Sequence, residues 1–319
     1  MLTSIESLPP PPDAVCGMFG CSDGTHLRYA AWPASEDKVR GTVCVFPGRA
    51  EFIEKYFEVV SDLRGRGFAV VAMDWRGQGL SSRQVKRRKK GHVDRFRDYE
   101  EDLDAFMRNL VMPDYPPPYY ALAHSMGAHV LLRYARHGAN PFNRLMLIAP
   151  MIEIEYGRMS RSFVNGLSEM LTLFGLGGLG AVPAGKPMRF ENNPLTSDRA
   201  RFERMRDFEA ANPDLRTGVP TIGWVHAATD SIALVRDPEF AGLVRVPVLM
   251  LIGSSERIVS ISAAEEMGRR LKAGRTLIIA GGLHELLMER DSIRDQVWAA
   301  FDAFIPGEED ADSGLMAIA

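Results

Sequence analysis

Apolar residues fall along this chain in two rhythms. Short unbroken runs alternate with longer stretches in which apolar positions recur every three or four residues. "GTVCVFP" (41–47) is β-branched, continuous and closed by Pro-Gly, the pattern of a buried strand. "FAVVAMD" (68–74), "YYALAHS" (119–125), "RLMLIAP" (144–150), "VRVPVLMLIGS" (244–254) and "RTLIIAG" (275–281) read the same way. The amphipathic stretches between them predict helices over 52–67, 96–110, 126–138, 262–272 and 292–304. Strands alternating with helices predict an α/β fold, a mostly parallel central sheet flanked by helices.

The rhythm breaks between 151 and about 240, where the chain is rich in Met, Arg and Gly and offers no buried strand. This segment is expected to be an inserted cap (lid), irregular in structure, over the carboxyl edge of the sheet, where such folds bind ligands. The expected organisation is therefore a first core part (1–150), the cap (151–240), a second core part (241–306) and an acidic, disordered tail (307–319).

Composition narrows the class. The chain has 319 residues, 46% hydrophobic and 25% charged, ordinary for a globular protein. A net charge of −3 gives no global reason to bind nucleic acid. Cys16, Cys21 and Cys44 fit no metal-ligand spacing, and Cys44 sits inside an apolar run as a small hydrophobe. The N-terminus lacks the basic start and apolar core of a signal peptide, and no stretch reaches the length of a membrane span. The expected location is the cytoplasm, with a peripheral position at the inner face of the membrane left open.

Chemistry enters at "ALAHSMGA" (121–128), which departs from the nucleophile-elbow pattern G-x-S-x-G only by Ala123 in place of the first glycine. Ser125 lies where a predicted strand meets a predicted helix, the context an elbow requires. A serine hydroxyl needs a base, and on this architecture the partners follow in the order Ser, acid, His, each after a late strand. His284, in "AGGLHELL", and Glu256, in "GSSERIV", occupy those two slots. His124, His129 and His137 are too close to the elbow in sequence to serve as the base and read as structural. An oxyanion hole needs two N–H donors: that of Met126, and that of Arg49 in "PGRAE" beside the permissive Gly48.

Taken together, "FPGRAEFIEKYFEVVSDLRGRGFAVVAMDWRGQGLSSR", "GHVDRFRDYEEDLDAF", "ALAHSMGAHV", "IAPMIEI" and "GGLHELLMERD" resemble bacterial lysophospholipases, which group with monoacylglycerol-lipase-like α/β-hydrolases. The resemblance runs from about residue 15 to 305. It implies the α/β-hydrolase fold, cleavage of a fatty-acyl ester of a lysophospholipid or monoacylglycerol, and no metal or organic cofactor. It also implies Ser125 as nucleophile, His284 as base, and Arg49 and Met126 as oxyanion donors. Three positions depart from the wider family pattern: Pro47 where many relatives carry histidine, Ala123 for glycine, and Glu256 where aspartate is usual. The longer acid must fold its side chain or sit on a retreated strand end, and Asp230, Glu153 and Glu155 are the fallback acids.

Three further expectations concern substrate. "LSEMLTLFGLGGLGAVP" (167–183) supplies a candidate acyl wall through Met170 and Phe174, equally readable as cap packing, and its glycines suit a moving lid. Gly48 and His92 are candidates for lining the site. "RQVKRRKK" (83–90) reads either as a solvated loop or as attraction to an anionic membrane; without interleaved aromatics, nucleic acid is not expected. Rival readings are a general carboxylesterase, another hydrolase of the same fold, and a non-catalytic binding protein that kept the scaffold.

Overall fold

The computed structural model describes residues 1–35, 39–84, 90–157, 159–183 and 188–306. The chain enters through an antiparallel hairpin, β1 (Val15–Gly20) and β2 (His26–Trp32). It continues through β3 (Thr42–Phe46), α1 (Phe57–Arg64), β4 (Ala69–Met73) and α2 (Phe96–Phe106). A π-helical stretch at Met107–Val111 joins α2 to the short α3 (Met112–Asp114). Then come β5 (Tyr119–His124), α4 (Ser125–Tyr134) and β6 (Arg144–Ile148). Among the described residues, four helices follow without a strand: α5 (Arg161–Leu173), α6 (Arg199–Ala211), α7 (Ile222–Arg236) and α8 (Phe240–Leu243). The chain closes with β7 (Val248–Gly253), α9 (Ile261–Arg270), β8 (Gly274–Ile279) and α10 (Asp291–Phe304).

Among the described residues, eight strands form one sheet in the order β1-β2-β4-β3-β5-β6-β7-β8. Pairing is parallel from β4 through β3, β5, β6 and β7 to β8, and antiparallel only at the β1–β2–β4 end. Every residue of β3, β4 and β7 is buried, as strands covered on both faces require, whereas β1 and β8 alternate as edges do. The six strands expected from apolar runs all lie in this sheet. The β1–β2 hairpin was not among them.

The segment expected to be irregular is helical, which corrects the sequence reading. Three helices there begin at side-chain caps: Ser160 accepts from Phe163 N–H, Asp198 from Arg201 N–H and Thr221 from Trp224 N–H. These N-cap residues stand in "SRSF", "DRAR" and "TIGW" and are the sequence signal for the missed helices. Among the described residues, no helix is long and apolar enough to cross a membrane. Most of the basic stretch 83–90, at 85–89, and the tail 307–319 lie outside the described residues.

Candidate active site

The parallel strands converge their carboxyl ends on Ser125. β5 delivers it at the first position of α4 with φ of +48°, a left-handed conformation that costs a β-carbon-bearing residue on the order of 1 kcal/mol. The turn is tight on its far side: a Cβ at Gly127 would stand 2.5 Å from Pro47 O and 2.7 Å from Phe46 O. Glycine there lets α4 start against the end of β3. On the near side Ala123 is buried in the sheet between Phe46 of β3 and Leu147 of β6, and its methyl is accommodated.

Two other strand ends bring the partners. Ser125 Oγ lies 3.1 Å from His284 Nε2, and His284 Nδ1 lies 2.7 Å from Glu256 Oε2. The two turns carrying His284 and Glu256 are packed together by glycine. A Cβ on Gly253 would fall 2.1 Å from Gly282 O, and Ser255 N–H donates to that same carbonyl at 3.0 Å. Glu256 resolves its extra length by folding back on its own turn. Its Oε1 accepts the N–H groups of Arg257 (2.8 Å), Ile258 (2.7 Å) and Val259 (3.3 Å). Burial opposes ionisation of this carboxyl, but the hydrogen bond and charge of His284 and the Ile258 and Val259 N–H groups outweigh it, holding the pKa below the ordinary value. The arrangement can hold His284 in the tautomer that accepts a proton from Ser125. Of the fallback acids, Glu153 is engaged by Arg161 and Arg236, and neither Asp230 nor Glu155 contacts His284.

The loop after β3 supplies N–H groups. That of Gly48 is taken by Glu51 Oε2. Among the described residues, the N–H groups of Arg49 and Met126 find no partner. Met126 lies in the first turn of α4, where N–H groups lack helical acceptors and favour negative charge. Gly48 itself admits no side chain, since a Cβ would sit 2.8 Å from His124 Nδ1 and 3.0 Å from Glu51 Oε2.

A buried network behind the site was not read from the sequence. His124 Nδ1 lies 3.0 Å from Glu51 Oε1, and its Nε2 lies 3.1 Å from the carbonyl of His284. Lys55 Nζ donates to Glu51 (2.6 Å) and pairs with Glu285 (2.7 Å), while Tyr56 OH donates to Glu51 Oε2 (2.6 Å). Burial disfavours charge on both Glu51 and His124. Their contact overrides it, pulling Glu51 well below the carboxylate range and lifting His124 above its usual value. Glu51 thus braces the loop after β3 through Gly48, and His124 ties it to the backbone of His284. The signal was present in "PGRAEFIEKY" and in the residue before Ser125, but the contact spans distant segments. His129 is buried away from the site, its pKa pushed by burial to about 3.

The remaining candidates lie apart from the serine. His92 is tied through both ring nitrogens, to Thr221 Oγ1 (2.6 Å) and Asp94 Oδ1 (3.0 Å), and fastens its loop to the start of α7. Met170 and the adjoining Phe174 are 47% and 76% exposed at the outer face of α5, beside Phe163 (58%) and Leu167 (42%), rather than turned inward as an acyl wall. Among the described residues, no group of His, Cys, Asp or Glu could hold a metal ion.

Fold and site geometry are those of a serine hydrolase on the α/β-hydrolase scaffold. The family described as serine aminopeptidase, S33 matches residues 37–291, and the chain belongs to that family. It is similar to Lysophospholipase L2 of Escherichia coli (strain K12), 34% identical over 283 residues, covering 85% of this chain and 82% of the relative. It is also similar to the monoacylglycerol lipase of Mycolicibacterium smegmatis, 24% identical over 85% of this chain and 90% of that protein. In three dimensions it resembles a soluble variant of monoglyceride lipase from Saccharomyces cerevisiae, solved with a substrate analogue. That match has a TM-score of 0.71 at 20% identity, covering 91% of this chain and 94% of the other. The chain is thus a lysophospholipase- and monoacylglycerol-lipase-like α/β-hydrolase, a serine carboxylic ester hydrolase.

Proposed function

We propose that the protein cleaves the fatty-acyl ester of a lysophospholipid or monoacylglycerol through an acyl-enzyme on Ser125. The observation that carries this reading is the hydrogen-bonded chain from Ser125 through His284 to Glu256, with the N–H groups of Arg49 and Met126 unpartnered among the described residues. His284 Nε2 takes the Ser125 proton as Oγ attacks the ester carbonyl. Glu256 stabilises the imidazolium, and the Arg49 and Met126 N–H groups hold the oxyanion; losing one such donor costs about 3 kcal/mol of transition-state stabilisation. The head-group alcohol leaves with the proton from His284. Water, deprotonated by the same imidazole, then releases the fatty acid.

A lipid substrate is supported by what the curated relatives are named for and by the outward apolar face of α5, since large exposed apolar patches mark interaction surfaces. In this reading 1–150 and 241–306 form the catalytic core and 151–240 caps it. The α5 face meets the lipid surface at the inner side of the membrane, helped by the basic stretch 83–90. Lys90, at the end of that stretch, donates to Gly178 O at 2.9 Å, next to the α5 face.

The test is a hydrolysis panel of long-chain lysophospholipids, monoacylglycerols and short-chain esters, run with Ser125→Ala alongside. Long-chain substrates are expected to be preferred, and Ser125→Ala to lower kcat on the order of 10⁴-fold or more. Preference for short esters would make the protein a general carboxylesterase. A folded Ser125→Ala variant with its rate intact would end the proposal.

A further inference from the structure

Arg49 has been considered so far only through its backbone. Its half-buried side chain is held differently from the protein's buried arginines. The buried arginines are each matched by carboxylates: Arg28 by Glu54 and Asp74, Arg64 by Asp13, Arg76 by Asp102 and Asp23, and Arg294 by Glu58 and Asp62. Arg49 has no carboxylate partner among the described residues. Its Nη1 donates to Gly218 O at 3.1 Å, and its guanidinium lies 5.5 Å from the ring centre of Trp224 on α7. Nη1 also sits close to Gly91, where an added Cβ would be 3.4 Å away. Burial lowers its pKa, and no carboxylate opposes that shift.

A guanidinium carries five N–H donors in a planar fork. Held against an indole and one carbonyl, the half-buried fork keeps donors open to solvent, where an anion can meet them. The fork suits a phosphate or carboxylate in two-point contact. The residue keeps partial solvent access, so a ligand can reach it. Its position adds a distance constraint. The candidate donor to the reacting carbonyl is Arg49's own N–H, so the guanidinium lies within one side-chain length of the ester. In a lysophospholipid the phosphate is separated from the acyl ester by only the glycerol carbons.

We propose that the Arg49 guanidinium, cradled by Trp224, Gly91 and Gly218, binds the head-group phosphate of a lysophospholipid. The proposal rests on the lipid-ester reading above and selects the phosphate-bearing substrate within it. The same residue would grip both ends of the glycerol unit: the ester through its N–H and the phosphate through its side chain. Monoacylglycerol would use only the first.

The experiment compares wild type, Arg49→Met and Arg49→Lys on lysophosphatidylcholine and on the monoacylglycerol of the same acyl chain. The readout is the ratio of the two kcat/KM values. Losing a charge-assisted bond is expected to lower that ratio roughly ten- to a hundredfold in Arg49→Met. Arg49→Lys, which keeps charge without the fork, is expected to fall between. An unchanged ratio overturns the proposal, and so does an equal loss on both substrates, which would mean a damaged oxyanion loop. A second arm does not depend on lysophospholipid turnover. Glycerophosphocholine is added as an inhibitor of short-ester hydrolysis and is expected to inhibit wild type, with Arg49→Met weakening the inhibition about tenfold. Inhibition by inorganic phosphate but not by the phosphodiester would assign the site to free phosphate and overturn the head-group assignment. If wild type hydrolyses only short esters yet the second arm holds, the lipid-ester reading fails while the anion site stands.

Discussion

Two helices of the insert, α5 and α6, have the same length, 13 residues, and opposite fates. α6 is polar nearly all round, yet it is fastened. Arg201 and Arg204 both reach Glu58 on α1, at 2.6 and 2.7 Å, and Arg201 also reaches Asp291 at the start of α10. Phe208 slots edge-on between Phe52 and Phe57. The strand of chain leading into α6 is knitted to the histidine loop: Glu285 N–H donates to Leu195 O (2.8 Å) and Thr196 Oγ1 to Met288 O (2.7 Å). In contrast, α5 fully buries only Ser168, rests on α7, where Asn165 Oδ1 accepts from Thr229 Oγ1 at 2.7 Å, and turns Phe163, Leu167, Met170 and Leu173 outward. Apolar residues alone do not make an element well packed, and charges can anchor one firmly. The fixed helix buttresses His284, and the other, packed on one side against α7, keeps an outward apolar face.

Changes on the fixed side should affect every substrate, and changes on α5 should affect only aggregated lipid. The largest effect belongs to Glu256→Gln, which keeps shape but disfavours the working tautomer of His284. A loss in kcat on the order of 10⁴-fold is expected, equal for short esters and long-chain lipids. A loss confined to lipid would break the division.

Next comes Glu58→Gln, which removes the charge shared by Arg201, Arg204 and Arg294. Because the site is partly solvated, destabilisation of roughly 2 kcal/mol is expected, seen as a fall of several degrees in Tm. The wild-type cluster also has a pH signature. Burial raises the Glu58 pKa, but its hydrogen bond to Arg201 and the charges of Arg294, Arg201 and Arg204 prevail and bring it from 4.5 to about 2. A depressed carboxyl stabilises the fold above its unfolded pKa and loses that contribution as pH falls through the folded one. The Tm difference between wild type and Glu58→Gln should therefore shrink from pH 4.5 toward 2. A difference that is flat across this range would show that the carboxylate does not anchor α6.

The smallest effect is expected from Phe163→Ser combined with Leu167→Ser. Short-ester kcat/KM should stay within about twofold, while hydrolysis of lipid in vesicles falls roughly fivefold through lost apolar contact. Equal losses on both substrates would mean that α5 is structural.

How legible each region was in the sequence follows the same division. The core strands announce themselves because sheets covered on both faces demand unbroken apolar runs, and Ser125, Glu256 and His284 stand at the ends of three of them. The β1–β2 hairpin lies at the sheet's edge, where "VCGMFG" is half exposed and carries little pattern. α6 was not read because its hold comes from ion pairs with Glu58, more than 140 positions away in sequence. α5 does have helical spacing, but its apolar face points outward, contrary to the usual inference that such a face packs inward as an acyl wall. The Glu51–His124–Lys55 network escaped for the same reason as α6. The glutamate's extra length, which looked like the weak point, is absorbed by three N–H groups of its own turn.

The central claim is that Ser125 is the one activated nucleophile. It is tested most directly by reacting the folded protein with a fluorophosphonate and mapping the modified peptide by mass spectrometry. The account predicts one label, on Ser125, with loss of esterase activity in proportion to labelling and no label in Ser125→Ala. A folded, ester-hydrolysing protein that labels elsewhere, or not at all, would contradict it.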